Sequence, residues 1–358
     1  MKKRTRMPVF YIVYFACILL FLLSVHLALR VVRTYLADYE SAQPQHEAQR
    51  VFDAYYSEGK YASLASLAEK TVSPLETTEQ LVQYLEEYTV GKTLSFNSIT
   101  TGLDDTCKYI VKADDVKFSA FTLVKSGEKT PKGFDLYKLG SFELYCKPSK
   151  TASVTVPRGY AVYVNGVLLG DAYLSGVEQE DISCRYMPEG VQGIVYTEYR
   201  TDALYYLPQS VEVFTPDGRA AEVESDGNGV YRAALLYNDT LKDEYSDYAI
   251  AAAEAISAYM QNDGSFTRAA AYIDPESELY INTRTTETYF VIPHSSYTFE
   301  NVSASEFFRY DINTFSCRVS FTHVLKRMGS EDYRDYIDVT FFFRRCGDKF
   351  LIYDRYNH

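Results

Sequence analysis

The chain has 358 residues, with 36 Lys and Arg against 48 Asp and Glu, a net charge of −12. No Asp or Glu precedes Asp38, so the sequence beyond it holds 30 basic and 48 acidic residues, net −18. A surface this acidic repels nucleic acid, anionic lipid and anionic polymers, which excludes charge-driven binding to those partners.

Residues 1–7 carry Lys2, Lys3, Arg4 and Arg6 and read as a cytoplasmic tail. The next 22 residues, PVFYIVYFACILLFLLSVHLAL (8–29), have no formal charge, about the length that crosses a bilayer as a helix. The expected span is 8–30, with lipid as its partner. The excess of basic residues before it places the N-terminus in the cytoplasm and the bulk of the chain outside the cell membrane, as a single-pass protein. A cleaved signal peptide is the competing reading. It has a shorter apolar region and a small-x-small site, and HLALRVVR supplies no such site. His26, inside the run, reads as a neutral imidazole at the interface.

The polar stretch 31–46, with Pro44, reads as a juxtamembrane spacer. Over 47–150 the pattern changes from helix to strand. Val51, Phe52, Tyr55 and Tyr56, then Leu64, Leu67 and Ala68, then Leu81, Leu85 and Tyr88 recur at helical spacing, and Glu58-Gly59 and Ser73-Pro74 interrupt them. Beyond Gly91, β-forming runs fall near 94–100, 108–112, 116–124 and 134–146.

Residues 151–243 read as a small all-β module. Asn165-Gly166 between apolar runs is the strongest short hairpin signal, and Pro157-Arg158-Gly159 and Pro216-Asp217-Gly218 mark further turns. Over 244–358 the first order returns: an Ala-rich helix at 246–262, a short proline-closed helix at 265–275, then four strand-like runs ending in KFLIYDRY. The 34 Tyr with no Trp suit half-buried strand positions.

Two helices, a proline-closed helix and a curved antiparallel sheet, occurring twice, resemble the NTF2-like fold. The segment VTVPRGYAVYVNGVLLGD resembles the β module found beside such domains in Gram-positive envelope proteins. The layout is similar to the teicoplanin-resistance-associated membrane protein family and to the non-catalytic NTF2-like regions of some penicillin-binding proteins. The expected fold is therefore α+β: one transmembrane helix, then two NTF2-like domains flanking the β module. The chain departs from the first family in having a short basic segment, and no Cys-rich zinc ribbon, before the membrane helix.

No phosphate loop, HExxH pair or GxSxG elbow occurs, and the lone SxxK match at Ser57 and Lys60 has no SDN or KTG companion. No catalytic, cofactor or metal residue is assigned, and the chain reads as a non-catalytic binding or scaffold protein contacting an envelope protein or a cell-wall fragment. The alternative is a small-molecule enzyme or sensor using an NTF2-like pocket in 244–358. Its candidate lining is His323, Cys317 and Phe321, which share one strand face, with Asp311 near the strand start. Asp338 alternates with Ile337 and Val339 and should face outward. Cys317 and Cys346 fall on opposite faces of neighbouring strands, so both are expected as free thiols.

Overall fold

Val9–Ser41 forms helix α1, whose apolar side chains are exposed along its length. The computed structural model describes residues 9–57, 61–68, 72–99, 106–285 and 291–358; the basic tail 1–7, the Glu58-Gly59 turn and Lys60 of the SxxK match lie outside them. At 1.5 Å per residue α1 is roughly 50 Å long, more than the roughly 30 Å of a hydrocarbon core. Residues 11–41 are long and apolar enough to span a membrane by length and composition. The stretch expected as a spacer is helical through Ser41, and Pro44 opens the next helix at its first turn, where a missing N–H costs nothing.

The chain divides into two compact units. The first, Met1–Lys150 with Ala203–Leu207, continues through α2 (Pro44–Tyr55), α3 (Tyr61–Ala68) and α4 (Thr78–Thr89). A capping box between Thr77 and Gln80 sets the start of α4 by satisfying two end groups reciprocally. Four strands follow in a meander: β1 (Leu94–Ser98), β2 (Thr106–Ala113), β3 (Val116–Lys129) and β4 (Asp135–Leu144). Leu64, Leu81 and Leu85 from the helices pack on Val111, Phe118, Phe121 and Leu123 from the sheet. The β3–β4 turn reaches the end of α1, where Phe134 packs edge-on to Tyr35 and Tyr39 and the Lys132 N–H donates to Asp38. Ala203–Leu207 joins this unit by hydrogen bonds: the amides of Tyr205 and Tyr206 donate to the Glu76 carboxylate, and the Tyr206 hydroxyl donates to Glu87.

The second unit, Thr151–Asp202 and Pro208–His358, begins with nine short strands: β5 (Ser153–Pro157), β6 (Ala161–Val164), β7 (Val167–Leu168), β8 (Leu174–Glu180), β9 (Val195–Arg200), β10 (Val211–Phe214), β11 (Ala220–Ala221), β12 (Val223–Ser225) and β13 (Val230–Ala233). They form two sheets, ordered β11-β10-β6-β7 and β12-β13-β5-β9-β8, with Val154, Val156, Val162 and Val164 fully buried. Asn165 and Gly166 both have positive φ and join β6 to β7, the two-residue turn expected there. Pro157-Arg158-Gly159 instead carries the chain from one sheet to the other.

Then come α5 (Asp239–Met260), α6 (Phe266–Ala270) and α7 (Glu278–Thr285), with Asn238 capping α5. The helix expected at 246–262 thus starts seven residues earlier, and α7 lacks an apolar periodicity of its own. The second meander is β14 (Ser296–Arg309), β15 (Thr314–Lys326), β16 (Tyr333–Cys346) and β17 (Lys349–Asn357). Among the described residues each unit therefore contains three consecutive helices, α2–α4 in the first and α5–α7 in the second, followed by a four-stranded antiparallel sheet. All six cysteines are free thiols; Cys317 opposes Phe341 on the buried face, and Cys346 lies on the other face.

Candidate functional site

Strict alternation along β15 sends Phe315, Cys317, Val319, Phe321 and His323 to the face covered by α5. Opposite them on β16 stand Phe343, Phe341, Val339, Ile337 and Asp335. Small residues on α5, Ala249, Ala252 and Ala253, let the helix backbone come close, and Ile256 fills between. Toward the C-terminal end of α5 the packing leaves a cavity of about 260 Å³. Ile256, Ser257, Phe321, Asp335, Ile337 and Arg355 are among its walls.

His323 is 1% exposed. Its Nδ1 lies 2.9 Å from the Ser257 hydroxyl, while Nε2 has no hydrogen-bond partner among the described residues. The rings of Phe299 and Tyr297 pack on it at 4.6 and 5.4 Å. Burial lowers its pKa, with the carboxylates of Asp263 and Asp335 pulling the other way, so the imidazole is held neutral. Asp263 is itself paired with His294 at 2.8 Å. Ser257 lines the cavity and His323 stands behind it.

Of the four residues singled out from sequence, three share one face. Phe321 lines the cavity, His323 reaches it only through Ser257, and Cys317 is sealed in the core with its thiol pKa pushed up by burial. Asp311 does not join them. It sits in the β14–β15 turn, where its carboxylate accepts the Asn313 N–H. The strand from Thr314 to His323, roughly 30 Å long, separates it from His323.

Arg355, Asp335 and Ser257 were not selected from sequence. Arg355 escapes period-2 reading because β17 is bulged: pairing passes from Phe343↔Ile352 to Phe342↔Asp354, leaving Tyr353 as the extra residue. Counting by twos from Phe350 and Ile352 would turn Asp354 inward. The bulge instead sets Arg355 opposite Phe341 and Asn357 opposite Val339, on the cavity side.

Charge on the opposite sheet face is paired around Arg318. Asp338 faces outward, as its alternation requires, and takes two hydrogen bonds from Arg318 at 2.8 and 2.7 Å. Glu306 binds the third guanidinium nitrogen at 3.0 Å. The Arg318 hydrogen bonds hold the Asp338 carboxyl below its ordinary pKa. At the edge of the same unit Asp274, 1% exposed, is bonded to Arg344 and to the Glu276 N–H. Among the described residues no group of three or more His, Cys, Asp or Glu is placed to hold a metal ion.

No protein-family model matches the chain, and no curated protein matches it. Among solved structures it aligns with an "Ntf2 like protein involved in plasmid conjugation", at 12% identity and a TM-score of 0.21, over 79% of this chain and 83% of that one.

Proposed function

We propose that the protein is a single-pass, membrane-anchored binding or scaffold protein whose folded bulk lies outside the cell membrane. In this reading residues 47–150 and 244–358 are NTF2-like domains flanking the β module, and the surfaces they present engage another envelope protein or a cell-wall fragment. The observation that carries it is α1: a helix whose apolar side chains from Val9 to Val32 are exposed, joined to a folded part with net charge −18. Four basic residues ahead of the helix support an inside N-terminus.

Orientation is tested with an impermeant maleimide on intact cells. Cys184 is a poor reporter, because it is half-buried, its thiol donates to the Ile194 carbonyl, and burial raises its pKa. Met328, 87% exposed in the β15–β16 turn, is the better position. Met328→Cys should label on whole cells; labelling only after lysis would overturn the orientation. Crosslinking on intact cells followed by purification of the chain should then recover one specific envelope component. Recovery of none would remove the scaffold reading.

A further inference from the structure

We propose that the cavity beneath α5 is a binding site for a small amphipathic carboxylate, with Arg355 as its counter-ion. The site goes beyond the scaffold reading and is independent of it.

Arg355 is half-buried in the wall of a cavity whose lining is mostly apolar, and it has no ion pair or side-chain hydrogen bond among the described residues. The other half-buried arginines of this unit each have a side-chain hydrogen bond: Arg318 holds Asp338 and Glu306, Arg344 holds Asp274, and Arg327 donates to the Glu331 carbonyl. The adjacent Asp354 cannot serve, because it faces the opposite side of the sheet and accepts the Arg355 N–H. Asp335 lines the same cavity but lies six residues along β16 from the partner of Arg355, roughly 20 Å of strand. Burial lowers the Arg355 pKa, and the Asp354 charge opposes this only in part. Even a half-buried cation without a partner is costly, and the fold incurs that cost through a bulge whose effect is to turn this side chain inward.

The lining defines the ligand. A guanidinium fork matches a carboxylate with two parallel hydrogen bonds. No second cation lines the cavity, so a phosphate dianion would be left under-neutralised. Ile256, Phe321, Ile337, Val339 and Phe341 offer an apolar surface to the rest of the molecule. At about 260 Å³ the cavity falls below the roughly 300–1,000 Å³ of sites for drug-sized molecules, so the ligand is a small one. Ser257 and Asn357 add hydrogen-bonding groups along its length.

The test uses the full chain in lipid nanodiscs, with empty nanodiscs as the blank, and titrates hexanoate, hexanol and hexylammonium by calorimetry. Hexanoate should bind at least tenfold more tightly than either analogue. Arg355→Gln should weaken hexanoate at least tenfold and leave hexanol unchanged, the size expected for a charge-assisted hydrogen bond lost from a desolvated site. Arg355→Lys should retain part of the preference, and Ile337→Trp, which fills the cavity, should abolish binding of all three. Equal binding of the three probes by the wild-type chain, or hexanoate binding unaffected by Arg355→Gln, would overturn the proposal. If Arg355→Gln fails to fold, the wild-type preference decides alone. A negative result here leaves the crosslinking outcome untouched, and recovery of no envelope partner leaves this titration interpretable.

Discussion

Gly140 in β4 and Tyr353 in β17 hold the same place in their sheets, each the extra residue of a bulge in the last strand of a four-stranded meander. In β4 the pairing passes from Leu123↔Leu139 to Thr122↔Ser141, so Tyr137 and Leu139 face the core before Gly140, and Phe142 and Leu144 after it. In β17 the inward residues change from Phe350 and Ile352 to Arg355 and Asn357. One bulge exchanges apolar for apolar and the other exchanges apolar for charged. The N-terminal unit also has a recess, of about 500 Å³, but Glu86 and Lys92 on its rim are exposed to solvent. The same order of elements thus supports two interiors that differ in whether charge is turned inward, and because both strands carry the inserted residue, the residue types that follow it make the difference.

The largest effects should be common to both units. Phe121 and Phe343 are each at most 1% exposed, and Phe121→Ala and Phe343→Ala should each cost about 3–5 kcal/mol in urea unfolding. A cost confined to one of them would mean that the two sheets are not equivalent supports. Next, Phe142→Arg gives β4 the charge that β17 carries. With no cavity or ligand to receive it, the substitution should destabilise by about 3 kcal/mol, reduced from the fully buried case because Phe142 is half-buried.

Asp274 provides the paired counterpart to Arg355. Arg344→Leu leaves a buried carboxylate without its cation and should cost about 2 kcal/mol, discounted because Arg344 is one-third exposed. Burial alone would raise the Asp274 pKa, but hydrogen bonds from Arg344, the Glu276 N–H and Cys346 outweigh it and the net shift is downward. The stability this contributes is therefore complete above the unfolded carboxyl value of about 3.9 and is lost as pH falls through the lower folded value. Asp274→Asn should flatten that acid limb in unfolding measured between neutral pH and about pH 2. The smallest effect has the opposite sign. Arg355→Leu makes β17 resemble β4 and should stabilise the chain by about 1 kcal/mol in thermal unfolding, the expected trade when a binding residue is replaced by an apolar one. A clear loss of stability would mean that Arg355 is structural.

Much of the C-terminal interior was legible from residue types. The odd-numbered run from Phe315 to His323 reads inward, Asp338 reads outward, and pairing of β15 with β16 places them so. The Asn-Gly turn was legible because positive φ at two successive positions restricts the residue choice. Asp311 was misplaced: proximity to a strand start in sequence carries no information about distance across a sheet, and the residue closes a turn. The repeat of helices followed by strands was readable as pattern, whereas α7 was not, since its buried residues Leu279 and Thr283 show little apolar period.

By itself, the sequence determined the apolar span with its charge asymmetry, the acidic balance of the chain beyond it and the alternation of β15 and β16, because all three are sums or periods over neighbouring residues. Only the tertiary structure decided that Arg355 and not Asp354 faces the cavity, that Ser257 meets His323, and that Asp335 and Arg355 stand too far apart to neutralise each other. The reason is that a bulge is defined by the partner strand: which residue is the extra one depends on pairing with β16, and nothing in KFLIYDRYN taken alone marks it.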